Sequence, residues 1–213
     1  MEYVADTERN PFGLSPPCDQ AVPGYGDVNA DFHVIGDHPG VHGGTETGVP
    51  FTGTPWSEEF FEALVRADLL QSADTASGQL ACYRTFLSYL HMCDPGPEGP
   101  TSDSYSRMEP FFDAELRAIT AHVLLPVGSR ATAHVLESYT ANVPEDQPEM
   151  DALHASEQRG SGWLVIPIKD PANWNDADAD RLVDRFERLD DADYHQITDL
   201  GRFIPGSDPY LVR

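Results

Sequence analysis

Ala30-Asp31-Phe32-His33-Val34-Ile35-Gly36-Asp37-His38-Pro39-Gly40, followed shortly by Gly48-Val49-Pro50-Phe51-Thr52-Gly53, is the stretch on which the reading of this chain turns. Phe32, Val34 and Ile35 let residues 31–35 read as a buried strand, and they run straight into a turn rich in Gly and Pro. In an open α/β sheet, ligands are held by the loops that leave the carboxyl ends of the strands. Further along, Ser57 as a cap, Glu58 and Glu59 in the first turn, and Phe60, Phe61, Leu64, Val65 and Leu69 at helical spacing predict a helix ending near Gln71. Residues 85–92 read as a second buried strand and 94–104, dense in Pro and Gly, as a loop. Met108, Phe111, Phe112, Leu116 and Ile119 recur with helical period. Residues 122–126 make a third strand, and Gly128-Ser129 opens the next helix. Residues 139–160 read as irregular and 163–168 as a fourth strand, after which Asn175 or Asp176 caps a last helix through Leu182, Phe186 and Leu189. Strands alternating with helices predict a three-layer αβα sandwich around a mostly parallel four-stranded sheet. One domain over 1–213 is expected, with the Pro- and Gly-rich residues 1–29 as an N-terminal arm.

The 213 residues carry 13 basic and 36 acidic side chains, a formal net charge of −23, and the basic set holds a single lysine, Lys169. This balance resembles that of proteins from salt-loving organisms, where molar salt cuts the Debye length to roughly 3 Å and removes the self-repulsion of an acidic surface. At low ionic strength it opposes nucleic acid, whose affinity rests on Lys and Arg at phosphates; in concentrated salt that objection weakens. Lys169 and Arg159, flanking the fourth strand, are candidate phosphate contacts. The run Asp176, Asp178, Asp180 and Asp184 reads as a solvated face at the start of the last helix rather than a metal site. Cys18, Cys82 and Cys93 show no C-x-x-C spacing, so reduced structural thiols are expected and no disulfide framework. No apolar run nears the ~20 residues that span a bilayer, and Met1-Glu2-Tyr3-Val4-Ala5-Asp6 lacks the basic opening of a signal peptide. A cytoplasmic protein without membrane partners is the expectation.

The text Val22-Pro23-Gly24-Tyr25-Gly26-Asp27-Val28-Asn29-Ala30-Asp31, continuing through Gly36-Asp37-His38-Pro39-Gly40 to Pro50-Phe51-Thr52-Gly53, resembles the uracil-DNA glycosylase superfamily in its family 4 type. There the pattern reads like V-x-G-x-G-x-x-x-A-D-h-h-h-h-G-E-A-P-G and then G-x-P-F-V-G. Cys93-Asp94-Pro95 with Pro110-Phe111-Phe112-Asp113-Ala114-Glu115-Leu116 resembles its C-R-P-P loop and P-Y-L-x-x-E-L helix, and Leu125-Pro126-Val127-Gly128 with Ala131 its L-G-x-x-A. The resemblance covers about residues 20 to 190. It implies removal of uracil or another damaged base from DNA, single-stranded or damaged, in base excision repair; a monomer is expected.

Such chemistry needs an extruded nucleotide stacked on an aromatic face and stabilisation of a cationic sugar and a departing anionic base. The resemblance places Asp37 where the family has Glu, to orient water or face the sugar, with His38 beside it. Gly36, Pro39 and Gly40 form the floor, and Phe51 the stacking ring, worth about 1–3 kcal/mol. Tyr89 falls where the family reads its base with Asn, with Ser88 beside it, and a lone hydroxyl lacks the paired donor and acceptor of a carboxamide. His91, at a strand end, is a further pocket candidate; His42 and Glu46 could position water or line the pocket but read more simply as mobile surface residues, and His33 as a structural histidine. The family's H-P-S motif corresponds to Ile166-Pro167-Ile168, which brings no imidazole. The four-cysteine iron–sulfur cluster of family 4 is expected to be lost, because Cys93 and Cys18 keep two ligand positions and Met108 stands at the last. An alternative keeps the pocket for nucleic-acid or nucleotide binding without the chemistry, and a third reuses the fold for a small molecule.

Overall fold

The computed structural model describes residues 7–140, 148–160 and 162–191. In chain order the elements are β1 (Thr7–Arg9), β2 (Tyr25–Asp27), β3 (Phe32–Gly36), α1 (Pro39–His42), α2 (Ser57–Arg66), β4 (Leu70–Asp74), β5 (Gln79–Cys82) and β6 (Thr85–Tyr89). They continue with α3 (Ser102–Ile119), β7 (Val123–Pro126), α4 (Gly128–Tyr139), α5 (Met150–Leu153), β8 (Gln158–Arg159), β9 (Leu164–Val165), a 3₁₀ turn (Pro171–Asn173) and α6 (Asp178–Asp191). The main sheet runs β1-β2-β6-β3-β7-β9-β8. Its centre, β6-β3-β7-β9, is parallel, and antiparallel strands close both edges.

The four parallel strands are those the apolar runs predict. Alternation along them sorts side chains to two faces. Val34, Leu87, Leu125 and Ile166 pack with Phe60, Phe61 and Leu64 of α2 and Leu182 and Phe186 of α6. Ile35, Leu124 and Val165 pack with Phe112 and Leu116 of α3 and Val135 and Leu136 of α4. Helices cover both faces, which is the expected sandwich. The connection from β3 to β6 and that from β6 to β7 leave β3 between its successors, so the strand order reverses at β3, where an open sheet forms its crevice.

The structure adds elements that short polar text conceals. Within the N-terminal arm, β1 and β2 pair with each other and extend the sheet edge along β6. Residues 70–82 form the β4–β5 hairpin rather than a helix end and a polar loop. Leu80 and Cys82 turn inward while Gln71, Ser72 and Gln79 stay in water, and so few alternations are lost among turn residues. Helix α2 therefore ends at Arg66. Ser57 is its first residue rather than its cap, and its hydroxyl donates to the Phe51 carbonyl at 2.7 Å. Helix α3 begins at Ser102, earlier than the apolar period shows, because Thr101 caps it by accepting the Ser104 amide. Among the described residues no helix is long and apolar enough to cross a membrane.

One buried carboxyl sits in the core against β2 and β6. Glu115 of α3 is fully buried, accepts the Gly24 amide at 2.8 Å through Oε1, and leaves Oε2 without a partner among the described residues. Burial pushes its pKa from 4.5 up to about 8, against the smaller opposing effect of the Gly24 amide. The fold favours the neutral acid, so this group's contribution to stability is intact below about 4.5 and is lost as pH rises through about 8. Nearby His33, whose Nε2 pairs with Ser88 Oγ at 2.8 Å, is pushed down to about 3 by burial and costs stability in the other direction, as pH falls below 6.5. Glu115→Gln keeps an acceptor for Gly24 and cannot ionise. The variant should melt several degrees above the parent at pH 8 and lose that advantage by pH 5. Thermal melts across that range would refute this if the difference did not change with pH.

Candidate functional site

The carboxyl ends of β3 and β6 gather most of the residues the sequence points to. Strand β3 ends at Gly36, whose carbonyl accepts the Leu90 amide at 2.9 Å, and the Asp37 carbonyl accepts the His91 amide at 3.0 Å, so the β3 turn is tied to the end of β6. Asp37 is half-buried. Its carboxylate Oδ1 accepts a short hydrogen bond from the Tyr105 hydroxyl, delivered by the first turn of α3. The Arg130 guanidinium of α4 lies 4.0 Å above the Tyr105 ring, and the His91 ring meets it edge-on at 5.4 Å. Burial raises the Tyr105 phenol, and the Asp37 carboxylate raises it further, so the hydroxyl stays a donor at any working pH.

Pro39 opens α1 at its first turn, where a missing amide costs nothing, and the buried His38 precedes it in extended conformation. Burial lowers the His38 pKa; Asp37 opposes that, while His42 and His91 reinforce it. At Gly40 a Cβ would be tight, 3.0 Å from His38 Nδ1 and 3.4 Å from Pro95. Gly36 is needed more strictly, since its Cβ would fall 2.7 Å from the Tyr89 ring and 2.8 Å from His42 Nδ1.

Those last contacts show what fills the floor. The His42 imidazole, at the end of α1 and only 1% exposed, packs 5.5 Å from Phe51 and 6.3 Å from Tyr89, centroid to centroid. Phe51, at positive φ of 66°, has no exposed surface and is enclosed by His42, Phe60 and Tyr89. Two backbone donors that converge there are already satisfied. The Asp37 amide donates to His42 Nδ1 at 3.0 Å, and the Phe51 amide to the Tyr89 hydroxyl at 2.7 Å. Tyr89 in turn shares its proton between the His42 and Gly43 carbonyls, each at 3.0 Å. Gly36, Asp37, Phe51 and Tyr89 thus do meet, but around a histidine of the chain itself. The expected open face of Phe51 is covered in this conformation, and the Tyr89 hydroxyl is spent on the backbone.

Because Nδ1 accepts from Asp37, the His42 proton rests on Nε2, 3.9 Å from Asp170 Oδ2. That distance exceeds hydrogen-bond length, so the contact is electrostatic. Burial would raise the Asp170 pKa, yet the nearby imidazole and the Ala172 amide hold it below the usual carboxylate range. Asp170 is a site group that the sequence reading did not single out. Ile166 and Ile168 lie inside the ladder, their amides donating to Leu124 and Pro126, and both are wholly buried. Beyond β9 the chain meets His42 at Asp170, just before the 3₁₀ turn Pro171–Asn173, and offers a carboxylate there. His42, read from sequence as a surface residue, is the site's central imidazole.

Lys169 does not face a ligand: it pairs with Asp151 at 2.7 Å and with the buried Asp178 at 3.1 Å. Asp178 is therefore part of the interior rather than of a solvated face. Arg159 lies 3.8 Å from Glu157. The basic groups that do border the site are Arg130, on a cavity of about 710 Å³ between α3 and α4, and Arg107, on one of about 500 Å³ beside His91, Thr101 and Met108. Tyr105, Arg130 and Asp170 carried no sequence signal strong enough to single them out; only the packing of α3 and α4 against the strand ends brings them in.

The cysteines also require correction. Cys18 and Cys93 form a disulfide across a sequence separation of 75, and Cys82 is the buried free thiol. The arm makes this possible: Val22 donates to Met92 and Asp94 to Gln20, laying residues 18–22 along 92–94. The Cys93 sulfur lies 3.5 Å from the Met108 thioether. A four-thiolate iron–sulfur cluster does not fit these residues, since the two thiols nearest the position bond each other and a thioether carries no charge to offer a cluster. Closing a loop of this length is worth about 4 kcal/mol in the chain-entropy account, so reduction should lower Tm by roughly 10 °C. Thiol counting on the denatured chain should give one group before reductant and three after. Three at the outset would refute the bond.

The structure is a parallel-centred αβα sandwich with a carboxylate and imidazoles at the strand-end crevice, where an open α/β sheet holds its ligand. The model of the family described as uracil DNA glycosylase superfamily matches residues 23–190, and the chain belongs to that superfamily. It is 31% identical over 125 residues to a type-5 uracil-DNA glycosylase of Mycobacterium bovis, covering 57% of this chain and 46% of that one. Type-5 uracil-DNA glycosylases of Pyrobaculum aerophilum (28% over 120 residues; 54% and 52%) and Thermus thermophilus (29% over 109 residues; 51% and 50%) also match. The chain spans about half the length of these curated relatives. Their names point to type 5, whereas the motif text resembles family 4; the superfamily is common to both.

Proposed function

We propose that this chain is a DNA glycosylase that hydrolyses the N-glycosidic bond of uracil or another damaged base. The observation that carries the reading is Asp37, a half-buried carboxylate after β3 whose Oδ1 accepts a hydrogen bond from Tyr105, a residue that itself lines the cavity between α3 and α4 with Arg130. In this reading Asp37 orients a water and takes its proton as the water oxygen bonds to the sugar anomeric carbon. The bond to the base breaks, and the base leaves with the electron pair. The negative charge of Asp37 also favours the cationic sugar. His38, kept neutral by burial, and His91 line the approach, Gly36 to Gly40 form the floor, and Phe51 stacks the base once His42 moves aside.

We further read residues 1–213 as one such domain with 1–29 as its arm, monomeric and cytoplasmic, acting on damaged or single-stranded DNA in a cell of high internal salt. Its motif text favours a divergent relation to family 4, and its relatives' names favour type 5. The test is incubation with uracil-containing single- and double-stranded oligonucleotides across a KCl series, scoring abasic sites. A second reading, DNA or nucleotide binding without turnover, is favoured by the complete burial of Phe51 and Tyr89. It predicts binding with no abasic product at any salt.

A further inference from the structure

We infer that Tyr105 is the positioning residue for Asp37, with Arg130 as the clamp that holds it. The inference rests on the reading of Asp37 given above. An Asp side chain at a strand end can swing through its rotamers, and a carboxylate that must orient one water needs one of them. Here the restraint comes from outside the loop. Tyr105 lies in the first turn of α3, and that turn is fixed by Thr101, whose hydroxyl accepts the Ser104 amide and whose carbonyl accepts the Tyr105 amide at 3.1 Å. The phenol cannot turn away, because Arg130 covers one face of its ring at 4.0 Å and His91 abuts its edge. A cation over an aromatic face is attractive, and it draws α4 into the same support. One carboxylate oxygen is thereby occupied by a neutral donor, and the other keeps its lone pairs for water. One donor from α3 thus meets one oxygen of the side chain that follows β3, and α4 backs that donor through Arg130.

The test is a double-mutant cycle in single-turnover base release, on whichever oligonucleotide the wild type processes, with Tyr105→Phe, Asp37→Asn and both together. Tyr105→Phe keeps the ring under Arg130 and removes only the hydroxyl. It should slow the chemical step on the order of 10- to 100-fold with KM unchanged. The double variant should be no slower than Asp37→Asn alone, since a positioner has nothing to position once the carboxylate is gone. Arg130→Ala should cause a smaller loss of the same kind, also absent in the Asp37→Asn background. Turnover by the wild type with losses that multiply in the double variant, or a Tyr105→Phe effect confined to KM, would overturn the inference and leave the glycosylase reading standing. A wild type that releases no base would overturn both.

Discussion

Asp37→Asn is expected to slow base release about 10²- to 10⁴-fold, the range over which a positioned proton acceptor contributes to catalysis, while DNA affinity stays unchanged. Asn preserves the volume of Asp and can still accept the Tyr105 hydroxyl, so the β3 turn and its ties to Leu90 and His91 should survive. What is lost is the charge that favours a cationic sugar and the basicity that takes a proton from water. Single-turnover release read as alkali-labile abasic sites measures the loss, and direct DNA binding measures what remains. Equal rates for wild type and Asp37→Asn would remove Asp37 from the chemistry. Loss of rate and binding together would assign it to the architecture of the loop instead.

Tyr89→Ala should be the most damaging change in the core of the site. The ring is fully buried against Phe51 and His42, and its truncation costs about 3–5 kcal/mol. The Phe51 amide is stranded as well, for about 1–3 kcal/mol more. The sum is about 4–8 kcal/mol, or on the order of 10–30 °C in Tm for a chain of this size. Tyr89→Phe isolates the hydroxyl and should cost only the hydrogen-bond share. The alanine variant also leaves a void beside a flat aromatic ring with a backbone donor at its edge. Free uracil can fill such a void and offer that donor a carbonyl, so it should raise the Tm of Tyr89→Ala and leave that of the wild type unchanged. If millimolar uracil shifts neither, the space around Phe51 is ordinary core and not a base slot filled by side chains.

Much of the fold was legible because the signals were local and repeated. Residues 32–36, 85–89, 123–126 and 164–168 are short runs dominated by apolar residues, and Phe60-Phe61-Leu64 and Phe112-Leu116-Ile119 keep helical period, so the sandwich follows from pattern. Gly36, Gly40 and Pro39 announced the turn for a comparable reason: close approach and a first helical turn restrict which residues fit. The hairpin of residues 70–82, the two edge strands of the arm and the first turn of α3 were not legible. Their stability comes from pairing and capping rather than from an apolar period.

The site divides the same way. The sequence by itself determined that a carboxylate, Asp37, stands after the first parallel strand, that Phe51 follows in the same loop, and that Tyr89 ends the neighbouring strand, because each is set by position along one segment. Only the tertiary structure decided what those residues do to one another. It places His42 between Phe51 and Tyr89, spends the Tyr89 hydroxyl on the Phe51 amide, brings Tyr105 from α3 onto Asp37 and Arg130 from α4 onto the Tyr105 ring, sets Asp170 opposite His42, and joins Cys18 to Cys93. Each of these is a contact between segments distant in the chain. Its partner is selected by how helices pack across a twisted sheet, which no local spacing encodes.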